Sequence, residues 1–262
     1  MKKLIINADD FGISESINKG IIDAYKKGTV SDISLMAEGD AYDHAVEVAK
    51  ENGIRNIGVH IVLSSGESIS DRYYKFPWKS VLGMVKSSDL RNRIKNQILT
   101  ISNSGFNLTH LDSHQHAHMW PSIMKVFVQL AKEFNIKFVR NPGTEKIYDI
   151  FDLKDSLRTL CLRGASAFSK NILVGAGIKC NDYFCGHFYA GKLDKTRLLM
   201  MLSDMRDGVT ELSCHPGYLT DEVSRKYWWH SNCENELKAL LDPEIQQAVK
   251  ANNIELVSYA DL

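Results

Sequence analysis

Long apolar runs and an excess of charge of either sign are both missing from this 262-residue sequence. No segment approaches the roughly 20 apolar residues that a membrane-spanning helix needs. The 32 basic and 32 acidic residues give a formal net charge of zero, so no strongly basic surface for nucleic acid is indicated. The apolar run after Lys2 and Lys3 stops at Ile6, which is too short for the core of a signal peptide. The sequence therefore predicts a protein that binds neither nucleic acid nor membrane.

Cysteine is scarce as well. The five cysteines are odd in number, and no two of them are spaced as Cys-X-X-Cys. This usage predicts reduced thiols in a cytoplasmic protein, and it does not indicate a zinc site built from cysteines.

Repeats, low-complexity tracts and linkers rich in proline, glycine or serine are also absent, so residues 1–262 are predicted to form one domain. What the sequence contains instead is an alternation of short apolar runs with helical patterns, which is typical of a parallel sheet covered by helices. Seven or eight such units predict an α/β fold of the irregular (β/α) barrel type. The predicted strands cover residues 2–10, 30–39, 56–66, 107–116, 136–143, 177–186, 209–217 and 254–262.

A dinucleotide-binding fold is disfavoured. The first predicted strand leads into "NADDFG", whereas that fold places a G-x-G-x-x-G turn at this point. Among the predicted helices, one long helix covers residues 153–176, another begins at Pro121, and a third is broken at Pro243.

Polar side chains recur at the carboxyl ends of the predicted strands. Barrel enzymes build their active sites at this edge, and random surface placement would scatter such groups along strands and helices alike. Their common location therefore predicts a functional site that draws on several strands. The residues concerned are Asp9, Asp10, His60, Asp112, His114, His116, Arg140, Asn141, Asp182 and His215.

The segment "THLDSHQHAHMWP", residues 109–121, holds four of the nine histidines. On a strand, every second residue shares a face, but this rule fails where the strand ends before Pro121, so the directions of His116 and His118 stay open. Imidazole and carboxylate together suit Zn²⁺, Fe²⁺ or Mn²⁺, and three protein ligands with open positions are typical of a catalytic metal. The alternative is a solvated polar loop.

Each group outside this segment has a structural alternative. Asp9 and Asp10 could form a turn or cap the next helix, and both can face one pocket only where the strand ends and the backbone turns. His60 could be a packed core histidine, and His215 could be a hydrogen-bonded residue at a strand end.

Aromatic residues cluster in two places, and their role stays open between stacking on sugar rings and packing loops onto the barrel. One cluster follows the third predicted strand, and the other follows the seventh. The residues are Tyr73, Tyr74, Phe76 and Trp78 in the first, and Trp228 and Trp229 in the second. Exposed aromatic residues near 73–78 are also compatible with a homodimer.

Taken together, these motifs resemble the YdjC/ChbG-type carbohydrate deacetylases, a family that includes deacetylases of chitooligosaccharides. The resemblance lies in the combination and order of several short motifs, each of which is weak alone. They are "NADDFG" at 7–12, "GVH" at 58–60, "THLDSHQHAHM" at 109–119, "RNP" at 140–142, "CHPG" at 214–217 and the final "SYADL".

The resemblance implies an irregular, polysaccharide-deacetylase-like (β/α) barrel and one divalent metal ion bound by Asp10, His60 and His114. Mg²⁺ or Zn²⁺ is expected ahead of Mn²⁺, Fe²⁺ or Co²⁺. It further implies that Asp9 is the general base and His215 the general acid, and that Arg140 orients Asp9 or binds substrate. The candidates for substrate binding are Asp182, Tyr73, Trp78 and His116.

The expected reaction is hydrolysis of the N-acetyl group of an amino sugar or short oligosaccharide. Two departures from the family pattern are Gln115, where another histidine is common, and Asp32, where small hydroxyl residues are common and which could alter the sugar pocket. The alternatives are another metal-dependent hydrolase on the same barrel, of phosphoesterase or amidohydrolase type, and a non-catalytic sugar-binding relative.

Overall fold

The computed structural model describes residues 1–63, 86–143 and 153–262. Within them, the strands form a single sheet in the order β5-β4-β3-β2-β1-β7-β6, with β8 also paired to β1, and neighbouring strands are parallel. The strands are β1 (Lys2–Phe11), β2 (Asp32–Leu35), β3 (Asn56–Ile61), β4 (Asn107–Ser113), β5 (Phe138–Val139), β6 (Tyr183–Cys185), β7 (Gly208–Cys214) and β8 (Ile254–Leu256).

The sheet curls so that its two edges approach each other. A parallel bridge joins Phe138 of β5 to Lys179, four residues before β6 begins. In the middle of the sheet, β1 has two partners along one edge: β8 pairs with the first residues of β1, and β2 pairs with the last residues of β1. Ser31 links the two, because its Oγ accepts from Ile6 N at 3.0 Å and donates to Val257 O at 2.7 Å. The prediction of an irregular (β/α) barrel is confirmed.

Helices cover the outer face of the sheet. The α-helices in the described ranges are α1 (Glu15–Lys26), α2 (Tyr42–Glu51), α3 (Ser87–Asn103), α4 (Pro121–Glu133), α5 (Leu153–Ala176), α6 (Lys195–Ser203), α7 (Asp221–Lys226), α8 (Cys233–Leu240) and α9 (Pro243–Ala251). Short 3₁₀ helices span His114–Met119, Trp228–His230 and Tyr259–Asp261. Ser14 caps α1 by accepting from Ile17 N, and Asp242 separates α8 from α9 at the predicted break.

Several predicted strands are shorter than the apolar pattern suggested. The predicted strand 136–143 keeps two ladder residues, because Asn141 N bonds to the Asn181 side chain instead of a neighbouring strand. The predicted strand 254–262 ends at Leu256, and Ser258 and Asp261 then form a reciprocal cap on the last 3₁₀ turn. None of the helices in the described part of the chain is long and apolar enough to cross a membrane.

The apolar core has two parts of unequal size. The larger part lies between the sheet and the helices, and the smaller part closes the amino end of the barrel interior with Ile5, Phe138, Val257 and Tyr259. Because side chains alternate along a strand, the residues of β1 that follow Ile5 on the same face are Asn7 and Asp9. The barrel interior therefore changes from apolar to polar toward the carboxyl ends of the strands.

The four cysteines that the structure describes form no disulfide: Cys180, Cys185, Cys214 and Cys233 are reduced thiols. Burial raises the pKa of Cys180, Cys214 and Cys233, so these three thiols stay protonated and unreactive near neutral pH. These four cysteines are not among the residues of the candidate site described next.

Candidate active site

A bulge in β1 brings two successive carboxylates to the same place. The pairing of β1 with β2 shifts register between Ala8 and Phe11, and Asp10 has a φ of 63°, which is the left-handed region that aspartate tolerates better than most residues. The sequence prediction placed this turn at the end of the strand, but β1 continues to Phe11. The bulge, and not a strand end, therefore lets both Asp9 and Asp10 reach the site.

Asp10 is the centre of a buried cluster of imidazoles. Its Oδ1 lies 3.2 Å from His60 Nε2 and 3.0 Å from His114 Nδ1. Asp10, His60 and His114 each offer a ligand atom within 4.8 Å of the others, although they come from β1, β3 and the 3₁₀ turn after β4. The structure thus brings together the three residues that the family resemblance implies as metal ligands.

A fourth residue, His230, was not found from the sequence. Its Nε2 lies 2.9 Å from Asp10 Oδ2, and both side chains are fully buried. His230 belongs to the 3₁₀ turn after α7 and is 220 positions from Asp10 along the chain. It lies in none of the recognised motifs and no spacing relates it to them, so no signal in the sequence pointed to this contact.

The electrostatics of the cluster follow from this geometry. Burial alone would lower the pKa of His60, but Asp112 and Asp9 and a hydrogen bond to Asp10 raise it to about 10. Burial alone would raise the pKa of Asp10, but the charge and hydrogen bond of His114 hold it well below its usual value. Asp10 is therefore an anion in a position where positive charge is strongly favoured.

His60 is oriented from behind. Its Nδ1 lies 2.8 Å from Asp112 Oδ1, so Nδ1–H donates to this carboxylate and Nε2 faces Asp10. A carboxylate behind an imidazole in this way is a common arrangement in metal sites, where it fixes the tautomer and the ring. Without a proton or a cation, the lone pair of Nε2 would face Asp10 Oδ1 directly.

Arg140 lies beneath this cluster, fully buried among three carboxylates. It donates to Asp9 through two bonds of 2.7 Å, and to Glu211 Oε1 through Nε at 2.8 Å. Its third partner is Asp112 Oδ2 at 2.7 Å. Burial alone would lower the pKa of Arg140, but the three carboxylates raise it well above its usual value.

The lower part of this network reaches the C-terminal turn, which sequence reasoning did not connect to the site. Tyr259 donates its hydroxyl to Glu211 Oε2 at 2.6 Å, and its ring stacks on His110 at 4.1 Å. His110 also requires a glycine at position 58, because a Cβ on Gly58 would come within 2.2 Å of the ring. Ser34 joins His110 to Asp112, with contacts of 3.0 and 2.8 Å.

The types of donor atom at this cluster fit a divalent cation. Asp10 offers a carboxylate oxygen, and His60 and His114 each offer a ring nitrogen. One carboxylate and two imidazoles form a donor set that suits Zn²⁺, Fe²⁺ or Mn²⁺, and a three-ligand site leaves positions open for water and substrate.

A cavity of about 300 Å³ opens beside the cluster. Its wall includes Asp9, His60, His114 and His215, so the implied base, acid and two of the implied ligands share one space. The backbone N–H of His215 donates to Glu236 Oε2 at 2.7 Å, and that oxygen lies 3.9 Å from His215 Nδ1. Other residues of the wall are Ser113, Gln115, His116, Gly186, His187, Ala190, Gly191, Lys192, Ser213, Trp228, Trp229 and Ser231.

The histidines of residues 109–121 do not share one face. β4 ends at Ser113, and Gln115 and His116 have φ values of 57° and 53°, so the alternation of a strand stops there. His114 turns to Asp10, and His116 packs against His187 in the cavity wall at 4.9 Å between ring centroids. The alternative of a solvated loop is wrong, because His110, His116 and His118 are buried.

One predicted position is wrong. Asp182 lies beside the amino end of β7, where its carboxylate accepts from Val209 N at 2.9 Å, and not at the carboxyl ends of the strands. Asp32 begins β2, within the predicted second strand, but it accepts from Ile33 N and Tyr259 N and is not part of the described cavity wall. Tyr73 and Trp78, two further candidates for substrate binding, lie outside the described residues.

The buried imidazole of His118 predicts that the free energy of unfolding depends on pH. Its Nε2 donates to Arg140 O at 2.9 Å, and burial is the main cause that lowers its pKa from 6.5 to about 4. The unfolded chain binds this proton near pH 6.5, so the contribution to stability is present above that pH and is lost as the pH falls to about 4. By thermodynamic linkage, the pKa difference between the folded and unfolded chain corresponds to about 3 kcal/mol in the free energy of unfolding.

The measurement is the free energy of unfolding between pH 7 and pH 4, for the wild type and for His118→Gln. Because the carboxylates and the other histidines titrate in both proteins, the difference in unfolding free energy between wild type and variant isolates His118. We expect the advantage of the wild type to shrink by up to about 3 kcal/mol as the pH falls. A difference that does not change with pH would contradict a neutral, buried His118.

Comparison with known proteins gives consistent matches along the chain. Residues 3–251 match the family described as YdjC-like protein. Proteins named carbohydrate deacetylase are similar over their full length: that of Thermoanaerobacter pseudethanolicus is 29% identical over 100% of both chains, and that of Brevibacillus brevis is 30% identical over 99% of both. That of Clostridium beijerinckii is 30% identical over 99% of this chain and 100% of its own.

Two solved structures are similar in fold. One, from Enterococcus faecalis V583 and named for cellobiose-phosphate cleavage, has a TM-score of 0.75 at 23% identity and covers 99% of this chain and 98% of its own. The other, a lactam utilization protein from Thermus thermophilus, has a TM-score of 0.52 at 14% identity and covers 97% of this chain and 99% of its own. At these identities the likeness concerns the fold alone.

Proposed function

The chain belongs to the YdjC-like protein family, and from this we propose that it is a metal-dependent carbohydrate deacetylase. Its substrate is an N-acetylated amino sugar or a short oligosaccharide, and its products are acetate and the free amine. The relatives named carbohydrate deacetylase support the reaction class. The observation that carries the proposal is the convergence of Asp10, His60 and His114 beside a cavity that also contains Asp9 and His215.

The three residues of the buried cluster would hold the ion, with Mg²⁺ or Zn²⁺ the first candidates and Mn²⁺, Fe²⁺ and Co²⁺ next. An ion bound there would polarise the acetyl carbonyl and lower the pKa of a water molecule beside it. Asp10, His60 and His114 come from β1, β3 and the 3₁₀ turn after β4, and the pairing of these segments in one sheet brings their ligand atoms together.

Asp9 is the proposed general base. It lines the cavity. Arg140 donates a hydrogen bond to each of its two oxygens, and Asn7 Nδ2 donates to Oδ1 at 2.6 Å. These bonds fix the direction of the carboxylate, and it accepts the proton of the water that attacks the acetyl carbonyl. The role of Arg140 is then to orient Asp9, since the guanidinium is fully buried beneath it.

His215 is the proposed general acid. Its side chain is 20% exposed and lines the cavity just after the end of β7. The bond from its backbone N–H to Glu236 fixes the residue at this point. In the second half of the reaction it donates a proton to the departing sugar nitrogen, which is a poor leaving group as an anion.

The sugar itself would lie against the polar and aromatic part of the cavity wall. His116 and His187 form one side, and Trp228 and Trp229 form another. Trp228 is half exposed, and an aromatic face of this kind can stack on a sugar ring. Tyr73 and Trp78 remain proposals for the same role.

An acetate-release screen tests the proposed function. N-acetylated mono- and oligosaccharides are incubated with protein that has been stripped by a chelator and reloaded with single divalent ions. We expect at least one sugar to release acetate, the release to stop on chelation, and the reloaded ion to restore it. Turnover that survives a strong chelator would exclude the metal-dependent scheme. If no sugar releases acetate while phosphorylated sugars assayed in parallel release phosphate, a phosphoesterase is favoured. Sugar binding without turnover would favour a non-catalytic relative.

Replacing His215 by alanine tests the assignment of the acid. We expect turnover to fall by about 10²- to 10⁴-fold, the usual contribution of a positioned proton donor, while the metal content stays at the wild-type level. Metal content is measured on the purified variant together with acetate release. If His215→Ala loses the ion as well, His215 belongs to the metal centre and the acid must be sought elsewhere.

A further inference from the structure

His230 lies against the candidate metal centre without belonging to its set of ligand atoms. The ligand atoms of Asp10, His60 and His114 lie within 4.8 Å of one another, and among the described residues His230 is not a member of this group. It contacts the other oxygen of the same carboxylate, since its Nε2 lies 2.9 Å from Asp10 Oδ2 while His60 and His114 face Oδ1. The two oxygens of Asp10 therefore have different surroundings.

The hydrogen atoms of this contact can be assigned from its chemistry. An ionised carboxylate only accepts hydrogen bonds, so Nε2 of His230 must carry a hydrogen and donate it. The other ring nitrogen, Nδ1, is buried and has no hydrogen-bond partner among the described residues. His230 is held in this position by a 3₁₀ turn, in which its backbone N–H donates to Tyr227 O at 2.8 Å.

Asp10 needs such a partner more than most ligands do. It sits in a bulge with a left-handed backbone, so no regular ladder on both sides fixes the direction of its side chain. Rotation of the carboxylate would move Oδ1 away from His60 and His114. A donor on Oδ2 opposes this rotation and leaves Oδ1 directed at the other two ligands.

We propose that His230 is a positioning residue of the metal centre, which donates Nε2–H to Asp10 Oδ2 and thereby directs Oδ1 toward the ion. This inference rests on the proposed function in so far as it requires the ion to bind at Asp10, His60 and His114. Partners that orient a metal ligand from behind typically contribute about 10- to 100-fold to metal affinity. The loss of His230 should therefore weaken ion binding by a factor in that range.

The experiment compares Zn²⁺ affinity, measured by competition with a chromophoric chelator, in the wild type and four variants, one of which, Asp10→Asn, serves as the reference without the site. His230→Ala removes the donor, and we expect its affinity to fall about 10- to 100-fold. His230→Gln keeps an N–H donor of similar reach, and we expect it to recover most of that loss. His44→Ala is the matched control, because His44 on α2 bonds to Asn18 and not to Asp10, and its affinity should equal that of the wild type.

The outcomes separate the inference from the proposed function. If the wild type binds no Zn²⁺ at this site, as judged by the Asp10→Asn variant, the proposed function fails. If the wild type binds and His230→Ala binds equally well, the inference is overturned while the proposed function stands. If His230→Gln loses as much affinity as His230→Ala while both remain folded in thermal melts, the hydrogen-bond donor is not the cause and the inference is overturned as well. Visible spectra of the Co²⁺-loaded proteins, in which a displaced carboxylate changes the ligand-field bands, provide a second readout that does not depend on turnover.

Discussion

Replacing Asp10 by asparagine is expected to abolish metal binding and to lower acetate release by at least about 10⁴-fold. Asp10 is the only carboxylate of the three-ligand group, and its Oδ1 faces both His60 and His114. A metal that polarises a carbonyl contributes several kcal/mol to the transition state, and about 1.4 kcal/mol corresponds to a factor of ten in rate. Asparagine has nearly the shape of aspartate, so the effect is one of charge and ligand strength.

The measurement pairs metal content with acetate release, and Asp9→Asn is the matched control. Asp9 is the neighbouring carboxylate in the same bulge, but the proposed function assigns it to proton transfer. We therefore expect Asp9→Asn to keep its ion and to lose about 10²- to 10⁴-fold in turnover. If Asp9→Asn lost the ion and Asp10→Asn kept it, the two roles would have to be exchanged. If both variants kept full activity, the site would lie elsewhere.

Replacing Arg140 by methionine is expected to have the largest effect on stability. Arg140 is fully buried and is the shared partner of Asp9, Asp112 and Glu211, with contacts of 2.7 to 2.8 Å. Breaking one buried ion pair by removing one partner destabilises a protein by about 3–5 kcal/mol. Here three carboxylates would lose their cation, so we expect the upper part of this range, about 5 kcal/mol, or a failure to fold.

Thermal and denaturant unfolding of the metal-free protein measure this effect. For a chain of this size, about 5 kcal/mol corresponds to a fall in melting temperature of roughly 10–20 °C. Arg55→Met is the matched control, because Arg55 is exposed and surface substitutions usually change stability by less than about 0.5 kcal/mol. Arg140→Lys keeps the charge without the planar fork and should lie between the two. A melting temperature of Arg140→Met equal to that of the wild type would show that the network does not stabilise the barrel.

The two predictions concern one continuous network. Asp112 is bonded to His60 at one end and to Arg140 at the other, so the support of the metal centre and the polar filling of the barrel share a residue. Tyr259 extends the network to the C-terminal turn through Glu211. The last residues of the chain therefore support a site that begins with residues 9 and 10.

The fold was predictable because the periodicity of apolar residues is a local property. A strand buried on both faces gives a continuous apolar run, and a covering helix gives an amphipathic one. The positions of Asp10, His60 and His114 were also within reach, because parallel strands place their carboxyl ends at one edge. The same rule failed for Asp182. The apolar pattern predicted a strand over residues 177–186, but β6 begins at Tyr183. Asp182 therefore precedes the strand and lies at its amino end.

The sequence by itself determined the order of strands and helices, the edge of the barrel that carries the polar groups, and the types of residue available to bind an ion. Only the tertiary structure decided which of these groups meet. The bulge at Asp10, the end of β4 at Ser113 and the approach of His230 over 220 positions depend on contacts between distant segments. Such contacts leave no periodic pattern in the sequence, because they are selected by the packing of the whole barrel and not by the local preference of the chain.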